Sequence, residues 1–228
     1  FFSAPALLYV TPFPALFLIG PAHAMTTLDA HGKTVIPDSG RAKFLNTLDT
    51  GDILLFDTKG RNAKLIHTAQ GIHYDHVGLV IKDVYTKKLR ILEAVVPEVM
   101  LFDLHDRVNN ATANQIVART LTGVVKDDAF RNTLQAFAKQ AIGKPYETNK
   151  KDMVRACFPG CENTIDDQSS YFCSELVAAA YQEVGILPQQ PPASNYLPLD
   201  FGSVKRGALP LQGTAQLSPK VVVVSKRE

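Results

Sequence analysis

From residue 51 onward, apolar positions follow two rhythms. Short unbroken apolar runs bounded by turn residues predict strands. Ile53 to Phe56 follows the Gly51-Asp52 turn, Val77 to Ile81 forms a strand that begins at His76, and residues 88 to 96 (KLRILEAVV) form another. The polar turn from Asp83 to Lys87 joins the last two into a predicted β-hairpin. Residues 99 to 104 (VMLFDL), 114 to 121 (NQIVARTL) and a closing KVVVVS are further strand candidates. The second rhythm, with spacings of three and four, predicts helices. Phe130, Leu134, Phe137, Ala138, Ala141 and Ile142 form one stripe, with Asp127 or Asp128 as cap, Gly143 at the left-handed end and Pro145 barring continuation. Phe172, Leu176, Val177, Ala180 and Val184 form a second stripe, for which Ser170 is the predicted N-cap. A short helix fits residues 61 to 70, ending at Gly71. Residues 146 to 170 are polar and irregular, and the chain beyond Gly185 is proline-rich.

Residues 1 to 24 share neither rhythm. They carry no charge, and Pro5, Pro12, Pro14 and Pro21 interrupt the span of about 20 apolar residues that a transmembrane helix needs. Ala22-His23-Ala24 has the small-x-small form of a signal-peptidase site, without a basic segment before it. The readings are an export signal, which implies an exported or lumenal protein, or an extension before Met25, which implies a cytoplasmic one. Membrane association is expected only through this segment. Residues 25 to 47 read as a polar approach, and 48 to 228 as a single domain.

Composition narrows the function classes. The 228 residues are 46% apolar and carry a formal charge of +2 with no long basic block, so a globular core is expected and nucleic acid is not an expected partner. Three cysteines are too few for a disulfide scaffold. Cys157 and Cys161 could pair locally, which leaves Cys173 free.

Cys173 then falls at the third position of its predicted helix. There, backbone N–H groups lack intrahelical partners and the helix dipole favours a thiolate. Buried cysteines are more often inert packing. Two residues on the hairpin change that balance. His76 enters its strand from a turn, and Glu93 lies among Ile91, Leu92, Ala94 and Val95, where a carboxylate is costly unless partnered. A thiol nucleophile needs a base within hydrogen-bond reach and a third group that orients the base. If paired residue numbers across the hairpin sum to 169 or 171, Glu93 shares a face with His76. An even sum separates them.

GDILLF (51–56), DHVGLVI (75–81), LEAV (92–95), GKPYE (143–147) and YFCSELVAAAY (171–181) occur in an order that resembles the circularly permuted papain-like cysteine hydrolases of the NlpC superfamily, YiiX-like branch. The match covers about residues 48 to 202. The resemblance implies an α+β fold with a small antiparallel, barrel-like sheet packed against the helix that bears the nucleophile. It implies Cys173 as nucleophile, His76 as general base and Glu93 as the orienting residue, acting without a cofactor on a small peptide, amide or acyl substrate through a thioester. The backbone N–H of Cys173 is the expected oxyanion donor, with Tyr74 and Tyr171 as candidate second contacts or as packing residues. The setting of the histidine and cysteine favours amide hydrolysis over the lipid acyl transfer of a related branch. A catalytically silent binding module is an alternative, as is a zinc site built from His73, His76, Cys157, Cys161 and Cys173. Asp52 is expected to hold its turn rather than do chemistry.

Overall fold

The computed structural model describes residues 27–28, 34–58, 74–148, 168–202 and 209–226. The predicted helix at 61–70, His73 and the cysteines at 157 and 161 lie outside the described residues. The apolar runs become β3 (Ile53–Asp57), β4 (His76–Lys82), β5 (Leu89–Ala94), β6 (Val99–Asp103), β7 (Gln115–Arg119) and β10 (Val221–Ser225). All five residues of β3 and the middle five of β4 are buried, which explains why these strands read as continuous apolar runs and not as alternating patterns. Two short strands precede them, β1 (Thr27–Leu28) and β2 (Thr34–Val35), and β8 (Leu121–Thr122) pairs with β9 (Gln216–Leu217) as a separate ribbon.

The main sheet has the order β1-β2-β10-β7-β3-β4-β5-β6. Its pairs are antiparallel apart from β2 with β10. The sheet is open, which corrects the barrel-like closure implied by the resemblance. Its outer strands β1 and β6 do not meet, and β6 runs directly into a helix, α2 (Leu104–Asn109). Residues 25 to 47 are likewise more than an approach. They supply β1, β2 and α1 (Asp38–Leu45), whose Phe44 and Leu45 are buried against the sheet.

Helices cover both faces. On one face α3 (Asp128–Ala141), α4 (Cys173–Glu183) and α5 (Pro198–Gly202) pack over Val77, Leu79, Ile81 and Leu92. On the other, α1 and α2 pack over Leu54, Phe56, Val80 and Ile91. The Asp127 side chain caps α3 by accepting from the Phe130 N–H, and Gly143 ends the segment at φ +81°. Among the described residues no helix is long and apolar enough to cross a membrane.

Asp52 holds its turn through three donors. Its carboxylate accepts from the backbone N–H of Asp49 and of Leu121, each at 2.8 Å, and from Lys126 Nζ at 2.6 Å. The GKPYE segment is a strap. The Val99 N–H donates to the Lys144 carbonyl, the Gly143 N–H to the Val99 carbonyl and the Tyr146 N–H to Pro97, and residues 145 and 147 bond both sides of Tyr171. The edge strand β6 is thereby tied to the residues that lead into α4.

Candidate active site

The strap sets where α4 starts. Tyr171 is bridged to Tyr146, and Phe172 stays extended (φ −93°, ψ 169°) as the N-cap, so helical geometry begins at Cys173. The predicted cap moves accordingly. Ser170 donates its hydroxyl to Glu147 at 2.6 Å instead of capping the helix, and Cys173 is the first helical residue rather than the third. The Glu175 carboxylate accepts from the Phe172 N–H at 3.2 Å and occupies one of the open donors of the first turn. Residues 174 to 182 are all buried, which fixes the helix axis and the direction of the Cys173 side chain.

The hairpin has the odd register. Leu79 pairs with Leu92 and Val80 with Ile91, so each pair sums to 171 and Glu93 stands across from Gly78, on the face that His76 shares. Gly78 makes room for it. A Cβ at residue 78 would lie 2.8 Å from Glu93 Cγ and 2.7 Å from Ile91 Cδ1. Glu93 is fully buried, and its Oε1 lies 3.2 Å from His76 Nε2. With Nε2 facing the carboxylate, Nδ1 is the ring nitrogen left for sulfur.

His76 and Glu93 project from the sheet face opposite the one α4 covers, and the helix meets them around the end of β4. There the Cys173 Sγ lies 4.0 Å from the Asp75 carbonyl oxygen. Asp75 is itself held by Thr58, whose N–H and hydroxyl both donate to its carboxylate. Burial alone would lower the basicity of His76. The Cys173 charge and hydrogen bond, followed by the hydrogen bond and charge of Glu93, outweigh it and raise the imidazole pKa to about 10. For Glu93, burial pushes the pKa upward, but the hydrogen bond and charge of His76 and the charge of Arg107 leave it below the usual carboxylate value.

Arg107 was not legible as part of this group. It lies on α2, in a stretch without a sequence assignment, and its Nε donates to Glu93 Oε2 at 2.6 Å. Its guanidinium lies over the Phe56 ring, 4.7 Å from the centroid, and Phe56 in turn packs against His76 with ring centroids 5.4 Å apart. Tyr146 was also missed as a neighbour, although GKPYE was a signal for it. Burial first, then the charge of Cys173, raises its phenol to about 12.

The candidate tyrosines are anchored by other side chains. The Tyr74 hydroxyl donates to Gln115 Oε1 at 3.1 Å. Tyr171 packs on Phe137, and its hydroxyl donates to Gln168 at 3.3 Å. Of the alternative zinc set, only His76 and Cys173 are described, and among the described residues no group of three or more His, Cys, Asp or Glu could hold a metal ion.

Comparison with known proteins adds the family. A solved structure, the crystal structure of metalloprotein YiiX from Escherichia coli O157:H7, is 20% identical over 78% of this chain and 97% of that chain, with a TM-score of 0.49. No curated protein matches the chain. The family model described as permuted papain-like amidase enzyme, YaeF/YiiX, matches residues 47–193. That stretch contains the cysteine helix, both strands of the hairpin and the strap between them, so the chain belongs to the permuted papain-like amidase family.

Proposed function

We propose that this amidase-family chain is a thiol hydrolase that cleaves an amide or peptide bond through a thioester on Cys173, with His76 and Glu93 completing a triad. The observation that carries the reading is the fully buried Glu93, bonded to His76 and flanked along its strand by the apolar Ile91, Leu92 and Ala94. A carboxylate in that position is costly, and structural packing gives no reason for one. A buried acid that steadies an imidazole beside a helix-tip thiol matches the needs of acyl transfer.

The proton inventory follows from the site. The raised His76 pKa puts a proton on the imidazole at neutral pH, and the proposed reaction starts from that imidazolium beside Cys173 as the attacking sulfur anion. Sulfur attacks the carbonyl carbon, and the C=O π pair moves onto oxygen. The backbone N–H of Cys173, open in the first turn of α4, faces that oxyanion. His76 Nδ1–H then protonates the leaving nitrogen, the C–N bond breaks and the amine departs. A neutral thioester remains, so the sulfur charge that raised His76 is gone, the imidazolium becomes a stronger acid and gives up its proton more readily, and the neutral ring can act as a base near neutrality. Neutral Nδ1 takes a proton from water as its oxygen attacks the thioester, and the C–S bond breaks to restore the ion pair.

The test is a panel of acyl and peptidyl electrophiles with amide, anilide, ester and thioester leaving groups, read by mass spectrometry of the Cys173 peptide. The expected result is an acyl adduct on Cys173 that amide-type donors also form and that His76→Ala does not form with them. Adducts with ester donors alone would favour acyl transfer or esterase chemistry. No adduct from any donor would leave a silent binding module.

A further inference from the structure

Glu93 has a partner on each oxygen, and only one of them belongs to the triad. His76 takes Oε1, and Arg107 takes Oε2 at 2.6 Å. We propose that Arg107 is a positioning residue: through Oε2 it holds the Glu93 carboxylate ionised while His76 is neutral, which keeps the imidazole proton on Nε2 and leaves Nδ1 free as the base for thioester hydrolysis. The inference rests on the reading of Cys173, His76 and Glu93 as a hydrolytic triad.

The need for it arises midway through the cycle. In the resting enzyme the imidazolium compensates Glu93. In the thioester state sulfur is neutral and His76 must be neutral to accept a proton from water. A fully buried carboxylate with no cation beside it then takes up a proton. A protonated Glu93 donates to Nε2, which forces the ring hydrogen onto Nδ1 and removes the base. A guanidinium stays charged throughout and prevents this.

The geometry suits the role. Arg107 is only partly exposed, lies over Phe56 with Phe102 6.0 Å away, and reaches Glu93 from α2 through the carboxylate oxygen that His76 does not use. Phe56 lies against both cations, packing on Arg107 and on His76. The charged and titratable groups around the pair are His76 and Asp75 from β4 and its entry, Cys173 from α4, Tyr146 from the strap, and Asp103 and Asp106 near Arg107. Asp103 is occupied as the α2 cap, accepting from the His105 and Asp106 N–H groups. Across from Glu93 stand Gly78 and Met100, which do not titrate. Among the described residues, His76 and Arg107 are the cations that touch Glu93.

Burst kinetics with p-nitrophenyl acetate separate the two half-reactions, and acetyl-Cys173 is followed by mass spectrometry. Arg107→Met is expected to slow decay of the acetyl-enzyme about 100-fold, short of the ~10⁴-fold seen when a triad histidine is put in the wrong tautomer. Its formation is slowed much less, and Arg107→Lys recovers most of the loss. Should Arg107→Met fail to fold, the wild type alone decides. With Cys173 capped by iodoacetamide, a neutral thioether stands in for the thioester, and ¹⁵N shifts report which nitrogen of neutral His76 bears hydrogen. Nε2–H is expected. Acetyl-enzyme decay in Arg107→Met equal to wild type, or Nδ1–H in the capped wild type, overturns the inference while leaving the triad in place. No burst and no Cys173 adduct in the wild type overturns the functional reading and the inference with it.

Discussion

Two buried carboxylates sit in or beside the main sheet, and they are held differently. Asp52, in the turn just before β3, is 1% exposed and bonded to Lys126 and two backbone N–H groups. Burial outweighs these partners, and its pKa is raised. Glu93, 0% exposed, has a cation or potential cation at each oxygen, and its pKa is lowered. The desolvation penalty is common to both. What separates them is that Glu93 spends its lone pairs on a titrating imidazole and a permanent cation, whereas Asp52 spends them mainly on fixing a turn. A buried acid whose partners keep it charged next to a histidine is equipped for chemistry, and one whose partners are mostly backbone is a structural clamp.

Removing each carboxylate's charge gives the largest contrast. Glu93→Gln strands Arg107 and weakens the His76 contact, so a stability loss of about 3–5 kcal/mol by urea unfolding is expected, together with loss of Cys173 labelling at low pH. Asp52→Asn is expected to lose about 1–3 kcal/mol and to leave labelling unchanged. Equal labelling in the two variants would erase the distinction.

The pH dependence of stability sharpens it, because the two acids act with opposite sign. Glu93, with its pKa lowered from 4.5, contributes stability that is present above that value and lost as pH falls through its folded pKa. Asp52, raised from 3.8, contributes below that value and loses the contribution as pH rises through its folded pKa. Glu93→Gln therefore makes the acid limb of stability shallower, and Asp52→Asn makes it steeper. His76, raised from 6.5 to about 10, adds stability below 6.5 that is lost as pH rises towards 10, so His76→Ala flattens that interval. Urea midpoints across pH 3 to 10 check all three signs.

Gly78 tests the sterics of the Glu93 side. Gly78→Ala places a methyl against Glu93 Cγ and Ile91, for an expected loss of about 1–3 kcal/mol. A displaced Glu93 is also expected to slow Cys173 alkylation about 10-fold, since small misplacements in a catalytic set are costly in rate. Wild-type alkylation in this variant would mean that the exact seat of Glu93 is unimportant. The smallest effects are expected from Tyr74→Phe and Tyr171→Phe, about 1 kcal/mol each for the lost hydroxyl bonds. Unchanged acylation identifies them as packing residues, whereas a loss of about 10²-fold or more would make either one a donor to the reacting oxygen.

The longer strands, the long helices and the three candidate site residues were legible because each left a local mark: apolar runs, three-and-four spacing, a charge inside a strand. The sequence left the hairpin register open between odd and even sums, and the structure adopts the odd sum of 171 that puts Glu93 on the His76 face. What it missed was set by distant pairing. Cys173 opens its helix because the strap pins Tyr171 in extended form, a constraint from residues some 25 positions earlier. Arg107 lies on a six-residue helix too short for a periodic signal, and its partner is fourteen residues away on another element. The sheet stayed open because β6 turns at once into α2, a boundary that the apolar run to Leu104 conceals.

The proposed chemistry requires Cys173 and His76 to form one reactive pair. The most direct measurement is the rate of iodoacetamide alkylation of Cys173, followed by peptide mass spectrometry from pH 4 to 10, in the wild type and in His76→Ala. The prediction is rapid alkylation in the wild type well below the range of about 8.5 where a free thiol ionises, and loss of that reactivity in His76→Ala. Alkylation that rises only in the free-thiol range and is the same in both proteins would contradict it.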